Sequence, residues 1–516
     1  MRKRLFEGLV ATLAIASLAS CGDATTTTKT KETTTIETTT ETKETTTATT
    51  TEVPTTTMPE TTTVAPTPTT TNPVVVEPLD LSLDLSTDSF KGDKDDKTIH
   101  FYHNYGDRYT EIIDQAKEAF KEKYPSWDIE YEFKGDSFVS DIMDSKVDLA
   151  LLYRDDLFNI AYDSKRVVNI NDYLNAKGTL NNNPIGYSSE DILDFVPAYF
   201  NEGLAENFLG SDEFGFKDGD RLSMPFVKSS DVLFMNLTAL KEAGYVDESG
   251  KVKTPTTWDE LFEACSIVQN YYPYSTPLGI DSESNLALNL LKQNGFDFSK
   301  DEAPYVAFNA TGAAEVLEKL QPYYDNYLLA TMSTYGGYTS SLLKKTPEKG
   351  GACFVIGSSS GASYYETEDF TLGISTLPGT MKNGNYNRST LYTGYELVMF
   401  QTELQNSEER KLMTWEFIKC LEDSGFQGTF SMESGLNPTK VSTYLIPEYA
   451  QYLSSMTYQS TAAMISSLMV DDFYFTKTFK NASIYKAQLK EAVIHILNGE
   501  NGKDALDRAA TIEIPV

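Results

Sequence analysis

Residues 222–268 read LSMPFVKSSDVLFMNLTALKEAGYVDESGKVKTPTTWDELFEACSIV, and their pattern decides the fold. Met224-Pro225-Phe226 is a short apolar run. Lys228-Ser229-Ser230-Asp231 interrupts it with polar groups, and Val232-Leu233-Phe234-Met235 resumes it. Runs of this length and composition predict two strands joined by a polar kink. Leu237 to Ala243 then predicts a helix, with Gly244 placed to end it, because only glycine enters the left-handed conformation freely. Thr257-Trp258-Asp259-Glu260 is a capping box: the Thr257 hydroxyl can accept from the Glu260 amide while the Glu260 carboxylate reaches back to the Thr257 amide. Leu261, Phe262 and Cys265 follow on one helical face.

Upstream, the order is strand, helix, strand, helix, strand. Thr98 to Tyr102 predicts the first strand. Ile112, Ala116 and Phe120, with Ile113 beside them, form one stripe of a helix that Pro125 stops. Asp128 to Phe133 alternates as a second strand, a helix spans Ser137 to Ser145, and Val147 to Leu152 is a third, buried strand. This alternation implies a parallel, doubly wound sheet. Ligands of such sheets bind beyond the carboxyl ends of the strands. That rule selects Tyr102, His103 and Tyr105 after the first strand and Asp155 after the third. Three large polar-tipped rings at one strand end are poorly explained by packing alone.

Leu222–Phe226, Val232–Asn236, Leu240–Gly244 and Thr254–Leu261 together resemble, in order and spacing, the extracellular solute-binding proteins of bacterial ABC importers, the sugar-binding type. Further stretches fit the same family: Gly351 to Gly361, Phe370 to Gly379, Tyr392 to Val398, Trp415 to Ile418 and Ser434 to Pro438. The resemblance runs over about residues 97–440. It implies an α/β fold of two lobes, like the periplasmic binding proteins, with the ligand cleft between them and hinge crossovers. The expected lobes are about 97–226 with 371–426, and about 230–369 with 427–516, with hinges near Val227, Phe370 and Gly425. It adds to the candidate ligand-binding residues Ser229, Ser230 and Asp231 at the first crossing, Ser359 and Ser360 in a serine-rich turn, and Tyr338, Tyr392 and Tyr395. Trp258 and Trp415 are expected in the core, and Tyr271, Tyr272 and Tyr274 on the surface.

The ends of the chain carry a different message. Arg2, Lys3 and Arg4 precede an apolar run from Gly8 to Leu18, too short to span a bilayer and suited to an export signal over 1–20. Leu18-Ala19-Ser20-Cys21 looks like a bacterial lipobox, which implies lipidation at Cys21 and attachment to the outer face of the cell membrane. Residues 22–71 contain 28 Thr and no apolar period, so 21–92 reads as a disordered tether ahead of a folded part at 93–516. Seventy such residues span roughly 45 Å r.m.s.. The net charge of −32 opposes contact with nucleic acid or anionic lipid. Cys265, Cys353 and Cys420 lie far apart, with no metal-ligand spacing, and are expected as buried free thiols, with one disulfide among them as the alternative in an oxidising compartment.

The function expected is capture of a carbohydrate, an oligosaccharide above all, and its delivery to a membrane permease of the ABC type by a monomeric protein without cofactor or metal. A serine-rich turn, with Lys228 or Arg388 available, keeps glycerol-3-phosphate as the alternative ligand. No nucleophile-elbow, zinc-protease or nucleotide-binding motif occurs and the chain has only three His, so an enzyme is not expected. An exported glycosidase and a surface adhesin are the lower alternatives.

Overall fold

The computed structural model describes residues 97–106, 109–134, 138–144, 146–402 and 407–514. The export signal, Cys21 and the Thr-rich segment lie outside the described residues. Ten strands matter here: β1 (Thr98–His103), β2 (Asp128–Phe133), β3 (Leu149–Leu152), β4 (Met224–Asn236), β5 (Leu278–Ile280), β6 (Leu329–Thr331), β7 (Phe354–Ser358), β8 (Leu372–Ser375), β9 (Thr390–Met399) and β10 (Phe473–Tyr474). They form one sheet in the order β2-β1-β3-β9-β4-β7-β5-β6, with β8 joined to β4 and β10 to β9. The outer pairs, β2-β1-β3 on one side and β7-β5-β6 on the other, are parallel. The central pairs that tie the halves together are antiparallel.

The two halves bury separate cores. Ile99, Phe101, Phe120, Leu151 and Phe226 pack with Trp415 and Phe417 of the helix Ser407–Leu421 in the first lobe. Leu233, Phe262, Leu291, Phe354 and Val493 pack in the second. Strand β4 belongs to both. Its first half pairs with β9 (Ser230 with Tyr392, Met224 with Leu397) and its second half with β7 (Asp231 with Ser358, Met235 with Phe354). The expected polar kink is therefore absent: residues 224–236 form one unbroken strand, and all 13 are buried. Each polar side chain in the interruption has a reason to stay in line. Lys228 is paired with Glu202 and Glu396, Ser230 shares a hydrogen bond with Ser466 (2.8 Å), and Asp231 accepts one from Asn285 (3.2 Å).

Two crossings fall later than the sequence suggests. Leu372 to Ser375 pair with Leu233 to Asn236, and Leu377 and Leu391 pack in the second core, so the chain returns to the first lobe at Gly394 and not near Phe370. The helix Ser424–Ser434 still belongs to the first lobe, because Phe426 and Phe430 pack on Phe226. The last crossing therefore lies at or beyond Asn437, whose amide and carbonyl both bond the backbone of Lys228, and not near Gly425. Ala462 and Met469 then join Val232 and Phe234 in the second lobe.

Local expectations fare as their physics dictates. Thr257 and Glu260 form the capping box (3.2 and 3.3 Å), and Gly244 sits at φ +81°. Trp258 and Trp415 are buried, each donating its indole N–H, to Gln293 (2.8 Å) and to the Ile185 carbonyl (2.7 Å). Tyr271 and Tyr274 are exposed, but Tyr272 is buried with its hydroxyl on Glu242 (2.6 Å). Cys265, Cys353 and Cys420 are unbridged and buried, and burial pushes the thiols of Cys353 and Cys420 up to about 12 and about 11. Only a thiolate reacts quickly with a disulfide reagent. These three thiols are therefore expected to be silent toward such a reagent in the native protein and to react together in denaturant; fast native labelling of any of them would contradict this packing.

Candidate functional site

A cavity of about 790 Å³ opens between the lobes where β4 and β9 cross. The first lobe contributes Asn104, Tyr105, Gly106, Tyr109 and Tyr153. The second contributes Asp281, Ser282, Asn285, Tyr338, Ser340, Ser358, Ser360, Gly361, Tyr364 and Tyr365. Ser229, Asp231, Thr393, Gly394 and Tyr395 form the floor, and Ser434 and Leu436 close one end. The position obeys the strand-end rule on both sides, since β1, β3, β5 and β7 all deliver their carboxyl ends to it.

Rings build the first-lobe wall. Tyr105 lies 4.9 Å from Tyr395 and 5.2 Å from Tyr109, and Tyr395 lies 4.3 Å from Tyr153. Tyr105 is buried, and its hydroxyl has no hydrogen-bond partner among the described residues. Burial foremost, then the neighbouring tyrosines, raises its pKa well above the ordinary value, so the hydroxyl keeps its proton. A buried hydroxyl without a partner costs free energy until something supplies one. Its location on the cavity makes a ligand the natural supplier.

Carboxylates build the opposite wall. One Asp281 oxygen accepts from the Thr339 amide and hydroxyl (2.7 Å each), and the other from the Tyr365 hydroxyl (2.7 Å). The Tyr365 ring stacks on Phe234 at 3.9 Å, which fixes it. Gly357 makes this approach possible: a Cβ there would fall 2.5 Å from the Tyr365 hydroxyl and 2.6 Å from Asp281. Ser282 caps the helix Glu283–Gln293 through the Asn285 amide, so the Asn285 side chain is presented to Asp231. Burial foremost, with Asp281 adding to it, pushes the Asp231 carboxyl up to about 6. Its ionised form is thus disfavoured by folding, and stability is lost as pH rises from about 4 to about 6. Asp231→Asn is expected to stabilise the unliganded protein by about 1–3 kcal/mol at pH 7 and by nothing below pH 4. Urea unfolding at both pH values checks this, and equal effects at the two would contradict it.

The sequence candidates divide. Tyr105, Ser229, Asp231, Tyr338, Ser360 and Tyr395 line the cavity. The others do not line it, although Asp155 and Tyr392 border the smaller cavity that adjoins it at Tyr153, Asn285, Thr393 and Gly394. Tyr102 packs under Lys134, whose ammonium lies 4.1 Å from the ring centre. His103 is buried among Phe101, Tyr131 and Phe133. Ser230 faces Ser466, and Ser359 is buried behind the turn. Tyr392 donates to the Ala198 carbonyl (2.6 Å). Asp155 accepts from Thr478 (2.7 Å) and pairs with Lys486 (2.8 Å), joining the first lobe to the C-terminal tail. Burial opposes its ionisation, yet Lys486, Thr478 and Arg154 hold its carboxyl below the usual range. Sequence reasoning missed Tyr109, Asp281, Asn285, Tyr364 and Tyr365. Asp281 and Asn285 carried a signal, since they flank the Ser282 cap directly after β5.

Beneath the floor, the three crossings meet at a buried charge cluster. The Lys228 ammonium sits between Glu202 and Glu396 and also donates to the Tyr395 carbonyl (3.3 Å), while Ser223 donates to Glu396 (2.7 Å). Burial foremost pushes the Glu396 carboxyl far up, and Lys228 holds Glu202 down against burial. Lys228 cannot reach the cleft, and Arg388 is paired with Asp472 (2.9 Å). Among the described residues, none lining the cavity is a lysine or arginine, and no cluster of His, Cys, Asp and Glu could hold a metal ion. Nor is any helix among them long and apolar enough to cross a membrane.

Two lobes, three crossings and an intervening polar, ring-lined cleft define a binding protein of the hinged, two-lobed class. The sequence profile of the bacterial extracellular solute-binding proteins matches residues 88–454, and the chain belongs to that family. The sn-glycerol-3-phosphate-binding periplasmic protein UgpB of Brucella melitensis is 29% identical over 237 residues, 44% of this chain and 51% of that protein. The chain thus spans about half the length of the curated relatives it matches. Among solved structures, the cyclic α-maltosyl-1,6-maltose binding protein of Arthrobacter globiformis aligns with TM-score 0.62 at 17% identity, over 80% of this chain and 97% of that one. UgpB of Mycobacterium tuberculosis, in complex with glycerophosphocholine, aligns with TM-score 0.60 at 15% identity, over 80% and 96%. At these identities the likeness establishes the fold.

Proposed function

We propose that the protein captures a carbohydrate, an oligosaccharide above all, in the cavity between its lobes and delivers it to an ABC permease. The observation that carries this reading is the lining itself: seven tyrosines with hydroxyl, amide and carboxylate groups between them, and no cation among the described lining residues. A sugar presents apolar C–H faces to rings and hydroxyls to polar groups. A ligand touching both walls stabilises the closed arrangement, because only that arrangement supplies both sets of contacts. The permease would read closure, and no bond is broken. We assign 1–20 as a leader, Cys21 as the lipid-bearing residue on the outer face of the membrane, and 21–92 as the tether; the binding unit acts as a monomer. The second reading, a glycerol-phosphate ester, draws on the Brucella relative and on the Ser358 and Ser360 hydroxyls, 2.9 Å apart at the cleft.

A thermal-shift panel of neutral mono- and oligosaccharides, glycerol phosphates and short peptides tests the proposal. A ligand at 100 times its dissociation constant stabilises by about 2.7 kcal/mol. The expected result is a shift with one class of neutral sugar. Shifts with glycerol phosphates alone would favour the second reading, and no shift with any carbohydrate would overturn the first.

A further inference from the structure

We propose that Asp231 and Asp281 make the cleft select its ligand by charge: a carbohydrate bearing a protonated amine binds more tightly than its neutral parent, and the anionic form is turned away. This rests on the carbohydrate reading above and names the member of that class the site fits best.

Two carboxylates face one cavity, and they are not equivalent. Asp281 is saturated by three donors, from Thr339 and Tyr365. Asp231 is nine-tenths buried and receives a single long bond from Asn285, at 3.2 Å. A buried carboxylate is ordinarily matched by a cation or by several donors. Among the described residues Asp148 is paired with Arg410, Asp155 with Lys486 and Glu202 with Lys228, while buried Glu422, which accepts from the Tyr187 hydroxyl, does not line the cavity. Asp231 departs from that rule at the one place where a ligand can supply the missing charge. Burial, with Asp281 adding to it, disfavours its ionised form, and an ammonium brought by the ligand reverses that.

The other charges around the cleft are spoken for. The amino end of the helix Glu283–Gln293 would attract an anion, but Asp281 precedes it and Glu283 opens it. Arg154 borders the neighbouring small cavity, yet its guanidinium donates to the Thr476 and Asn207 carbonyls and lies against the Phe208 and Phe475 rings. Asp107 and Arg108, which follow Gly106, lie outside the described residues and carry opposite charges. The ring faces of Tyr153 and Tyr395 add to the same preference, since a cation is attracted to the face of a tyrosine and an anion is not.

The test is calorimetric titration of the full chain with matched series built on maltose, cellobiose and lactose. Each series has the parent, the form with a primary amine in place of one primary hydroxyl, and the form carboxylated at that carbon. In the series that binds, the amine is expected to bind at least about tenfold more tightly than the parent, and the carboxylate at least about tenfold more weakly. Asp231→Asn compresses the spread to under about threefold. Asn285→Asp, which adds a carboxylate beside Asp231, widens it and serves if the first variant does not fold. Equal affinities across the three charge states, or a spread that neither variant changes, would overturn the charge selection while leaving the carbohydrate reading in place. Binding by no member of any series would overturn both.

Discussion

Replacing Lys228 with methionine is expected to lower the free energy of unfolding by about 3–5 kcal/mol at pH 7, the largest loss of any single change considered for this protein. Methionine matches the length of the lysine stem, so the cavity cost is small. What is lost is the charge. Glu202 and Glu396 are both buried and would face each other without the ammonium that now lies between them. The deficit should shrink as the solution is acidified. In the wild type, Lys228 holds the Glu202 carboxyl down, a contribution present above the unfolded carboxyl pKa and lost as pH falls through the depressed folded value. In the variant, burial raises that pKa instead, and protonating the pair relieves the repulsion. Urea unfolding of both proteins at pH 7 and pH 5 measures this. A deficit that does not change with pH would mean that packing, not charge, is what Lys228 supplies.

The second large effect is expected at Gly394. Here β9 changes register between Gly394 and Glu396, and this bulge lets the strand leave one lobe for the other. A Cβ at residue 394 would fall 2.4 Å from the Val227 carbonyl oxygen and 2.5 Å from Lys228 Cδ. The first of these is backbone, which cannot swing aside. Gly394→Val should therefore destabilise by about 3 kcal/mol and displace the cleft floor carrying Thr393 and Tyr395. Ligand affinity is expected to fall at least about tenfold in the fraction that stays folded. Preserved stability with preserved affinity would show that the crossing tolerates a wider spacing than the register implies.

The strand–helix alternation of β1 to β3 and the first crossing were legible because they depend on local signals, while the antiparallel centre of the sheet was not. Strand β4 also shows where such reading ends. Lys228-Ser229-Ser230-Asp231 looks like a break because its residues are polar. The strand continues because Glu202, Glu396, Ser466 and Asn285, all remote in sequence, satisfy those groups. The later crossings were misplaced for a related reason. Leu377, Leu391 and Phe426 have the apolarity of a core residue, and nothing in their neighbours says which of two cores receives them.

The candidate site divides along the same line. Strand ends are visible in sequence and they located Tyr105, while the resemblance at the first crossing located Asp231, inside β4. Residues two apart on a strand share a face, so His103 turns inward with Phe101 against Tyr131, whereas Tyr105 lies past the strand end, is not held to that face and reaches the cavity. Asp155 sits at the right strand end, but Lys486 and Thr478 hold it at the smaller adjoining cavity instead of the main one. Tyr364 and Tyr365 end a short 3-10 helix, Ser359–Tyr365, that no periodicity predicts.

Titration of the neutral oligosaccharide identified by thermal shift, against the wild-type chain and Tyr395→Ala at low and high salt, tests the central claim most directly. The ring of Tyr395 joins the floor to the wall made by Tyr105 and Tyr153. Binding that is unchanged by salt and at least about tenfold weaker in the variant is the predicted result. Sugar binding that Tyr395→Ala leaves intact, or binding confined to phosphate esters and weakened by salt, would contradict it.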